Sequence, residues 1–222
     1  MTRDDALRVL VVDDHELFRT GLRALLEEEG FEVADAASGA EALATTPAFR
    51  PEVVLMDLNM PGMSGIEAAE RLLASRPEAS VLMLTINRDD GRVLEAVRAG
   101  ASGYLLKDAE LDDIVAGIRS VAAGLSVLAP AAAGALMTEV RREPRTFAPS
   151  TALAALTPRE RDVLALLARG CDNAEIGHRL FLSPSTVKHH VSHLLEKLGV
   201  ENRLQAAAVA IRHGLADEGP SD

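Results

Sequence analysis

The 222-residue chain holds one cysteine, Cys171, so no intramolecular disulfide and no multi-cysteine zinc site can form. That thiol reads as a small buried hydrophobe in a reducing compartment. No apolar run approaches the ~20 residues of a membrane span. The opening MTRDDALRVLVVDDHE lacks the long apolar region and small-residue cleavage site of a secretory signal. Both absences point to a cytoplasmic protein without membrane contact. No GxGxxG or Walker-type loop follows the first apolar run, which disfavours dinucleotide or nucleoside triphosphate binding. Lysine is confined to Lys107, Lys188 and Lys197, with arginine supplying the other 20 basic groups, a pattern that with the many alanines suggests GC-rich coding. The acidic excess, 34 against 23 for a net charge of −11, excludes a wholly basic nucleic-acid coat and leaves room for a local DNA-binding patch.

The charge is unevenly spread. Residues 1–128 carry 12 basic and 23 acidic groups, whereas Leu156 to Gly214 carry 8 and 6 together with five of the six histidines. Such asymmetry predicts two domains with different partners, the second one facing phosphates.

In the first half, short apolar runs (Val9 to Val12, Val53 to Met56, Val81 to Leu84, Tyr104 to Leu106) alternate with helical stripes. Those stripes are Phe18, Leu22, Leu25 and Leu26, then Ile66, Ala69, Leu72 and Leu73, then Leu111, Ile114, Val115 and Ile118. Continuous apolar runs suit strands buried on both faces. The alternation predicts an α/β fold, a doubly wound five-stranded parallel sheet, over residues 1–124. Residues 125–150, rich in alanine and proline, read as a linker with a short helix near 131–140. Residues 151–216 read as a small all-α domain of four helices, with capping signals at Thr157-Pro158-Arg159-Glu160, Asp172 to Glu175 and Asn202 to Gln205, and Ser183-Pro184 opening a helix closed by Gly199. Residues 217–222 read as a disordered tail.

Ligands of an open parallel sheet bind beyond the carboxyl ends of its strands. The predicted strands place Asp13 and Asp14, Asp57, Thr85 and Lys107 on that rim. Clustered carboxylates call for a cation, and oxygen ligands without Cys or His indicate Mg²⁺. A lysine and a threonine hydroxyl opposite the metal suit phosphoryl oxygens. Strand-end aspartates also cap helices and threonine is common in strands, yet the ordered set at successive strand ends favours a site.

VLVVDDHELFR, VLMDLNMPGMSG, VLMLT and GASGYLLKD resemble the receiver domain of bacterial two-component response regulators, and LTPRERDVLALLARG with NAEIGHRLFLSPSTVKHHVSHLLEKLGV resembles a LuxR-type helix-turn-helix. From about residue 7 to 215 the chain is similar to a NarL/FixJ-family response regulator. The resemblance implies a flavodoxin-like receiver in which Asp57 accepts phosphate from a cognate histidine kinase. It also implies that Asp14, Asp57 and the backbone carbonyl of Asn59 ligate Mg²⁺, that Asp13 acts through a metal-bound water, that Lys107 and Thr85 contact the acyl phosphate, and that Tyr104 is the switch aromatic. Ile86 is bulkier than the small residue common after that threonine, and Asn59 and Asn87 read equally as water-orienting groups or solvated loop residues.

Placing Val187, Val191, Leu194 and Leu198 inward turns Lys188, His189 and Ser192 outward, and Lys197 reaches out as well. For a recognition helix, Lys188 and His189 then read base edges in double-stranded DNA, while Ser185, Thr186, Ser192, His193 and Lys197 meet phosphate or sugar. His190 reads equally as packed or DNA-facing. The resemblance implies a homodimer on phosphorylation, paired through Leu204, Ala207, Ala208 and Ile211 of the last helix and reading an inverted repeat. Two other functions fit parts of the sequence. A Mg²⁺-dependent aspartyl-phosphate phosphohydrolase would need an acid at position 59, where Asn stands. A phosphate-independent regulator would usually have lost an acidic-pocket residue.

Overall fold

The computed structural model describes residues 6–86, 90–128, 150–200 and 202–215. The chain runs β1 (Arg8–Val12), α1 (Glu16–Glu28), β2 (Glu32–Ala36), α2 (Gly39–Phe49), β3 (Val53–Asp57), α3 (Gly65–Ser75), β4 (Ser80–Thr85), α4 (Asp90–Arg98), β5 (Gly103–Leu106), α5 (Leu111–Ala122) and β6 (Val127–Leu128). There follow α6 (Ser150–Ala154), α7 (Pro158–Ala168), α8 (Asn173–Leu180), α9 (Pro184–Leu198) and α10 (Arg203–Arg212). The helix expected near 131–140 and the tail at 217–222 lie outside the described residues.

All strands are parallel, in the order β2-β1-β3-β4-β5-β6. Every residue of β3 and β4 is buried, as the unbroken apolar runs require of a sheet covered on both faces. Leu10, Val12, Val54, Met56, Val81 and Met83 point to a core shared with Ala42, Ala68, Ala69 and Leu72 of α2 and α3. The alternate residues Val9, Val11, Val53, Leu55, Leu82 and Leu84 meet Leu22 and Leu26 of α1 and Ile114, Val115 and Ile118 of α5. Leu25, expected in the α1 stripe, is 43% exposed. The winding reverses between β1 and β3, which opens a crevice at their carboxyl ends.

Five strands match the expectation and a sixth exceeds it. Val127 and Leu128, read as linker, pair with Gly103 and Tyr104 at the sheet edge. Two residues carry too little pattern to be recognised as a strand.

The C-terminal helices enclose a separate core of Val163, Leu164, Leu166, Leu167, Ile176, Leu180, Val187, Leu194, Leu198, Ala206, Val209 and Ala210. Capping boxes open α7 (Thr157 with Glu160) and α8 (Asp172 with Glu175). Ser183 and Asn202 cap α9 and α10, and Gly199 closes α9 in the left-handed region at φ 64°. The short α6 precedes the four helices read from the sequence.

Candidate functional site

Asp13 follows β1, Asp57 ends β3, Thr85 ends β4, and Lys107 follows β5 with its backbone N–H donating to the Thr85 carbonyl at 2.7 Å. Parallel pairing brings these ends to one rim, as the strand readings required. Asp13, Asp57 and Thr85 are at most 2% exposed, while Asp14 is half-buried. Lys107 Nζ lies 2.5 Å from Asp13 Oδ2 and 3.1 Å from Asp57 Oδ2. It also sits 4.9 Å from the centre of the Phe18 ring, whose face attracts an ammonium.

Carboxylate oxygens of Asp13, Asp14 and Asp57 and a ring nitrogen of His15 all fall within 4.8 Å of one another. Asp13 Oδ2, Asp14 Oδ1 and Asp57 Oδ2 are buried and receive no aligned hydrogen bond. Lys107 is their close cationic neighbour, and the Nδ1 of the exposed His15 lies 2.9 Å from Asp14 Oδ1. Three carboxylates against one ammonium leave two negative charges, the charge of one divalent cation. The donor set therefore fits a hard, oxygen-seeking ion.

Asn59 is exposed, and its side-chain oxygen accepts from the Arg92 guanidinium of α4. Gly65, the first residue of α3, packs so closely that a Cβ there would stand 1.9 Å from the Asp57 carbonyl. Glycine alone permits this approach, which backs the end of β3 with the start of α3. Ile86 is 77% exposed beside Thr85. Asn87 lies outside the described residues. Tyr104, read from the sequence as a switch aromatic, is 2% exposed within the sheet core.

In the second domain, Val187, Leu194 and Leu198 are buried as expected and Val191 is half-buried. His189 and His193 are exposed, whereas Lys188, His190 and Ser192 are half-buried. The Ser185 and Thr186 hydroxyls each lie 2.8 Å from Ser183 Oγ, which also accepts the Thr186 N–H. Lys197, read from the sequence as a phosphate contact, is committed inside the domain: its ammonium bonds both oxygens of buried Glu160 at 2.7 and 2.8 Å. A partner 37 residues away leaves no local signal in sequence. Along α10, Leu204, Ala207 and Ala208 are half-buried and Ile211 is 60% exposed.

Burial alone would raise the Glu160 carboxyl, but hydrogen bonds from Lys197 and Thr157 outweigh it and hold the pKa below the ordinary 4.5. A lowered carboxylate pKa contributes stability that is complete above the unfolded value and is lost as pH falls through the folded one. The C-terminal domain should therefore lose stability below about pH 4.5, and Glu160→Gln should flatten that acid limb in a circular-dichroism pH titration. An unchanged limb would remove the assignment.

The α9 face that the sequence reading assigned to DNA is turned toward the first domain. Ser185, Lys188, His189, Ser192, His193 and Glu196 line a cleft of about 870 Å³ against Arg8, Glu52, Arg76 and Glu78 at the amino ends of the strands. Burial there pushes the Lys188 ammonium below its ordinary value, Glu52 and Glu78 pulling against the shift. Beside the cleft, Asn202 Nδ2 donates to the Val97 carbonyl of α4 at 2.6 Å and Gln205 Nε2 to the same oxygen at 3.3 Å. Arg203 donates to the Gly124 carbonyl at 2.5 Å, and the Asn173 N–H to Ala123 at 3.2 Å. The second domain thus adds hydrogen bonds at the ends of α4 and α5, at Val97 alongside the Gly100 N–H that this carbonyl accepts at 3.1 Å. Burial brings the Arg203 guanidinium down to about 10.

The family "Response regulator receiver domain" matches residues 9–119, and "Bacterial regulatory proteins, luxR family" matches residues 154–210. The DNA-binding transcriptional activator DevR/DosR of Mycobacterium tuberculosis is 43% identical over 206 residues, covering 92% of this chain and 94% of that protein. The transcriptional regulatory protein LnrK of Bacillus subtilis is 38% identical over 217 residues, covering 95% and 99%. A crystal structure of a LuxR-family two-component response regulator from Aurantimonas superposes with a TM-score of 0.57 at 34% identity, over 63% of this chain and 100% of that one. With the acidic rim in one domain and the helix-turn-helix in the other, these matches make the chain a member of the two-component response regulators that join a receiver to a LuxR-type DNA-binding domain.

Proposed function

We propose that phosphorylation of Asp57 by a cognate histidine kinase controls sequence-specific DNA binding by the second domain. The observation that carries this reading is the convergence of Asp13, Asp14, Asp57 and Lys107 on one rim. Asp57 attacks the phosphorus of a phosphohistidine in line, the P–N bond breaks, and the imidazole leaves. Lys107 pairs with the charge that accumulates on the phosphoryl oxygens, and the Thr85 hydroxyl bonds the acyl phosphate once formed. Asp14, Asp57 and the Asn59 carbonyl would hold Mg²⁺, with Asp13 reaching it through water. The ion supplies charge neutralisation to the phosphoryl group. The chain performs this transfer only on itself, and water hydrolyses the acyl phosphate to free Asp57 and inorganic phosphate.

Lys188 and His189 read bases, while Ser185, Thr186, Ser192 and His193 position the helix on the backbone. The commitment of Lys197 to Glu160 supports leaving it off this list. The half-buried alanines and exposed Ile211 of α10 suit a twofold dimer on an inverted repeat, and dimerisation doubles the contacts of a domain of modest charge. Receiver and recognition helix facing each other across the cleft supports masking of the DNA face before phosphorylation.

The test selects duplexes from a random pool with the phosphorylated full chain. Lys188→Ala should then cost about 1–3 kcal/mol on the selected site and relax its sequence preference. Equal loss on selected and random DNA would show that Lys188 reads no base. Failure of the phosphorylated chain to enrich any sequence would remove the reading.

A further inference from the structure

Every polar group of the Asp13 main chain and its Oδ1 is held by a separate element. Its N–H donates to the Ala36 carbonyl at the end of β2 at 3.1 Å. Its Oδ1 accepts the His15 N–H at 2.9 Å. Its carbonyl accepts Arg19 Nη1 at 2.8 Å. Arg19, one turn into α1, is itself fixed by an Nε bond of 3.0 Å to Asp35 Oδ2 near the end of β2, and its side chain is 12% exposed. One guanidinium thus ties α1, the β1–α1 turn and β2 together, directly behind the two aspartates at the strand end.

We infer that Arg19 is a positioning residue of the acidic pocket: by bridging Asp35 and the Asp13 carbonyl it holds the β1–α1 turn in the shape that presents Asp13 and Asp14 to a divalent cation. The inference rests on the cation reading given above. Arginine's fork donates to two acceptors in fixed directions, which a lysine ammonium on a flexible stem does not reproduce. Burial alone would raise the Asp35 carboxyl, but bonds from Arg23 and Arg19 hold it below its ordinary 3.8, so the acceptor stays ionised at neutral pH. Arg23 Nη1 takes the other Asp35 oxygen at 2.6 Å and leaves Oδ2 for Arg19.

Charge and geometry make opposite demands here, and the sign of one measurement separates them. A guanidinium bonded to the Asp13 carbonyl, just behind the strand-end aspartates, repels a dication there. If Arg19 acted through its charge, Arg19→Gln would strengthen Mg²⁺ binding and Arg19→Lys would leave it unchanged. As a brace, both variants weaken it, because neither spans the two acceptors.

The experiment titrates the full chain with Mg²⁺ by calorimetry and follows the rate of labelling by acetyl phosphate against Mg²⁺ concentration. Arg19→Gln, Arg19→Lys and Asp35→Asn should each raise the Mg²⁺ dissociation constant roughly tenfold, the scale of lost outer-shell support. Labelling should recover at saturating Mg²⁺, which separates a lost fit from a lost fold. Arg19→Gln combined with Asp35→Asn should add little to either alone, since one bridge is broken in every case. Wild-type affinity in Arg19→Lys, tighter binding in Arg19→Gln, or full additivity of the pair would each overturn the inference. Should Arg19→Gln misfold, Asp35→Asn reads the same bridge. Absence of Mg²⁺ binding by the wild-type chain would instead strike the cation reading.

Discussion

Asp57→Asn should reduce labelling by acetyl phosphate and Mg²⁺ on the order of a thousandfold or more, the cost of removing a nucleophile. The wild-type chain should take up one phosphoryl group. Asparagine keeps the shape of the side chain and offers an amide where a carboxylate oxygen attacked. Asp13 and Asp14 should not substitute, because both follow β1, whereas Asp57 ends β3 where the start of α3 at Gly65 backs it. Removing one of three clustered carboxylates also relieves like-charge repulsion. The variant should therefore melt no lower than wild type, which separates loss of the acceptor from loss of the fold. Chelation of Mg²⁺ should abolish labelling of the wild-type chain equally. Labelling that survives in Asp57→Asn would transfer the acceptor to another residue.

Asn202→Asp should unmask DNA binding in the unphosphorylated full chain. Asn202 has two tasks: its Oδ1 caps α10 by accepting the Gln205 N–H at 3.0 Å, and its Nδ2 holds the Val97 carbonyl at 2.6 Å. Aspartate is an equally good cap. It lacks the donor, however, and sets a carboxylate against a carbonyl. Losing a buried bond of this kind costs about 1–3 kcal/mol, so affinity for the selected duplex should rise roughly 5- to 150-fold without phosphate. A fragment from about Ser150 onward, with its own core, sets the ceiling for that gain. Phosphorylation adds negative charge at the opposite rim and by charge alone would tighten docking of a basic helix, so release has to come through a shape change. If fragment, variant and unphosphorylated wild type bind DNA equally at matched salt, masking is wrong and activation acts through receiver-driven dimerisation.

Much of this was legible because hydrophobic runs and strand-end polar residues are local features. Val53 to Met56 followed by Asp57 specifies both a buried strand and what stands at its end. The capping boxes at Thr157 and Asp172 fixed helix starts for the same reason. Arg19 was not legible as a functional residue, since periodicity assigns α1 an inward stripe and says nothing of a guanidinium that reaches Asp13 and Asp35. Lys197 has the outward position of a phosphate ligand, and only the distant Glu160 redirects it. The contact of Asn202 and Gln205 with Val97 spans more than a hundred residues and depends on how two folded bodies meet. Asn202 to Gln205 did announce a helix start, but nothing in that signal told that the amide of Gln205 would cross to the receiver.

The bonds that described residues of the second domain make to the ends of α4 and α5 also set a scale on which the proposed masking can be tuned. Asn202, Gln205, Arg203 and Asn173 reach three receiver carbonyls. Each neutral bond contributes about 0.5–1.5 kcal/mol net, and somewhat more where a guanidinium takes part. Together these bonds contribute a few kcal/mol to the docking of the two domains. Since about 1.4 kcal/mol corresponds to tenfold, losing any one of these bonds should, under the proposed masking, raise DNA binding by the unphosphorylated chain several-fold. Basal leak and dynamic range should then respond to side chains that touch neither DNA nor phosphate, and substitutions at positions 173, 202, 203 and 205 should move both together.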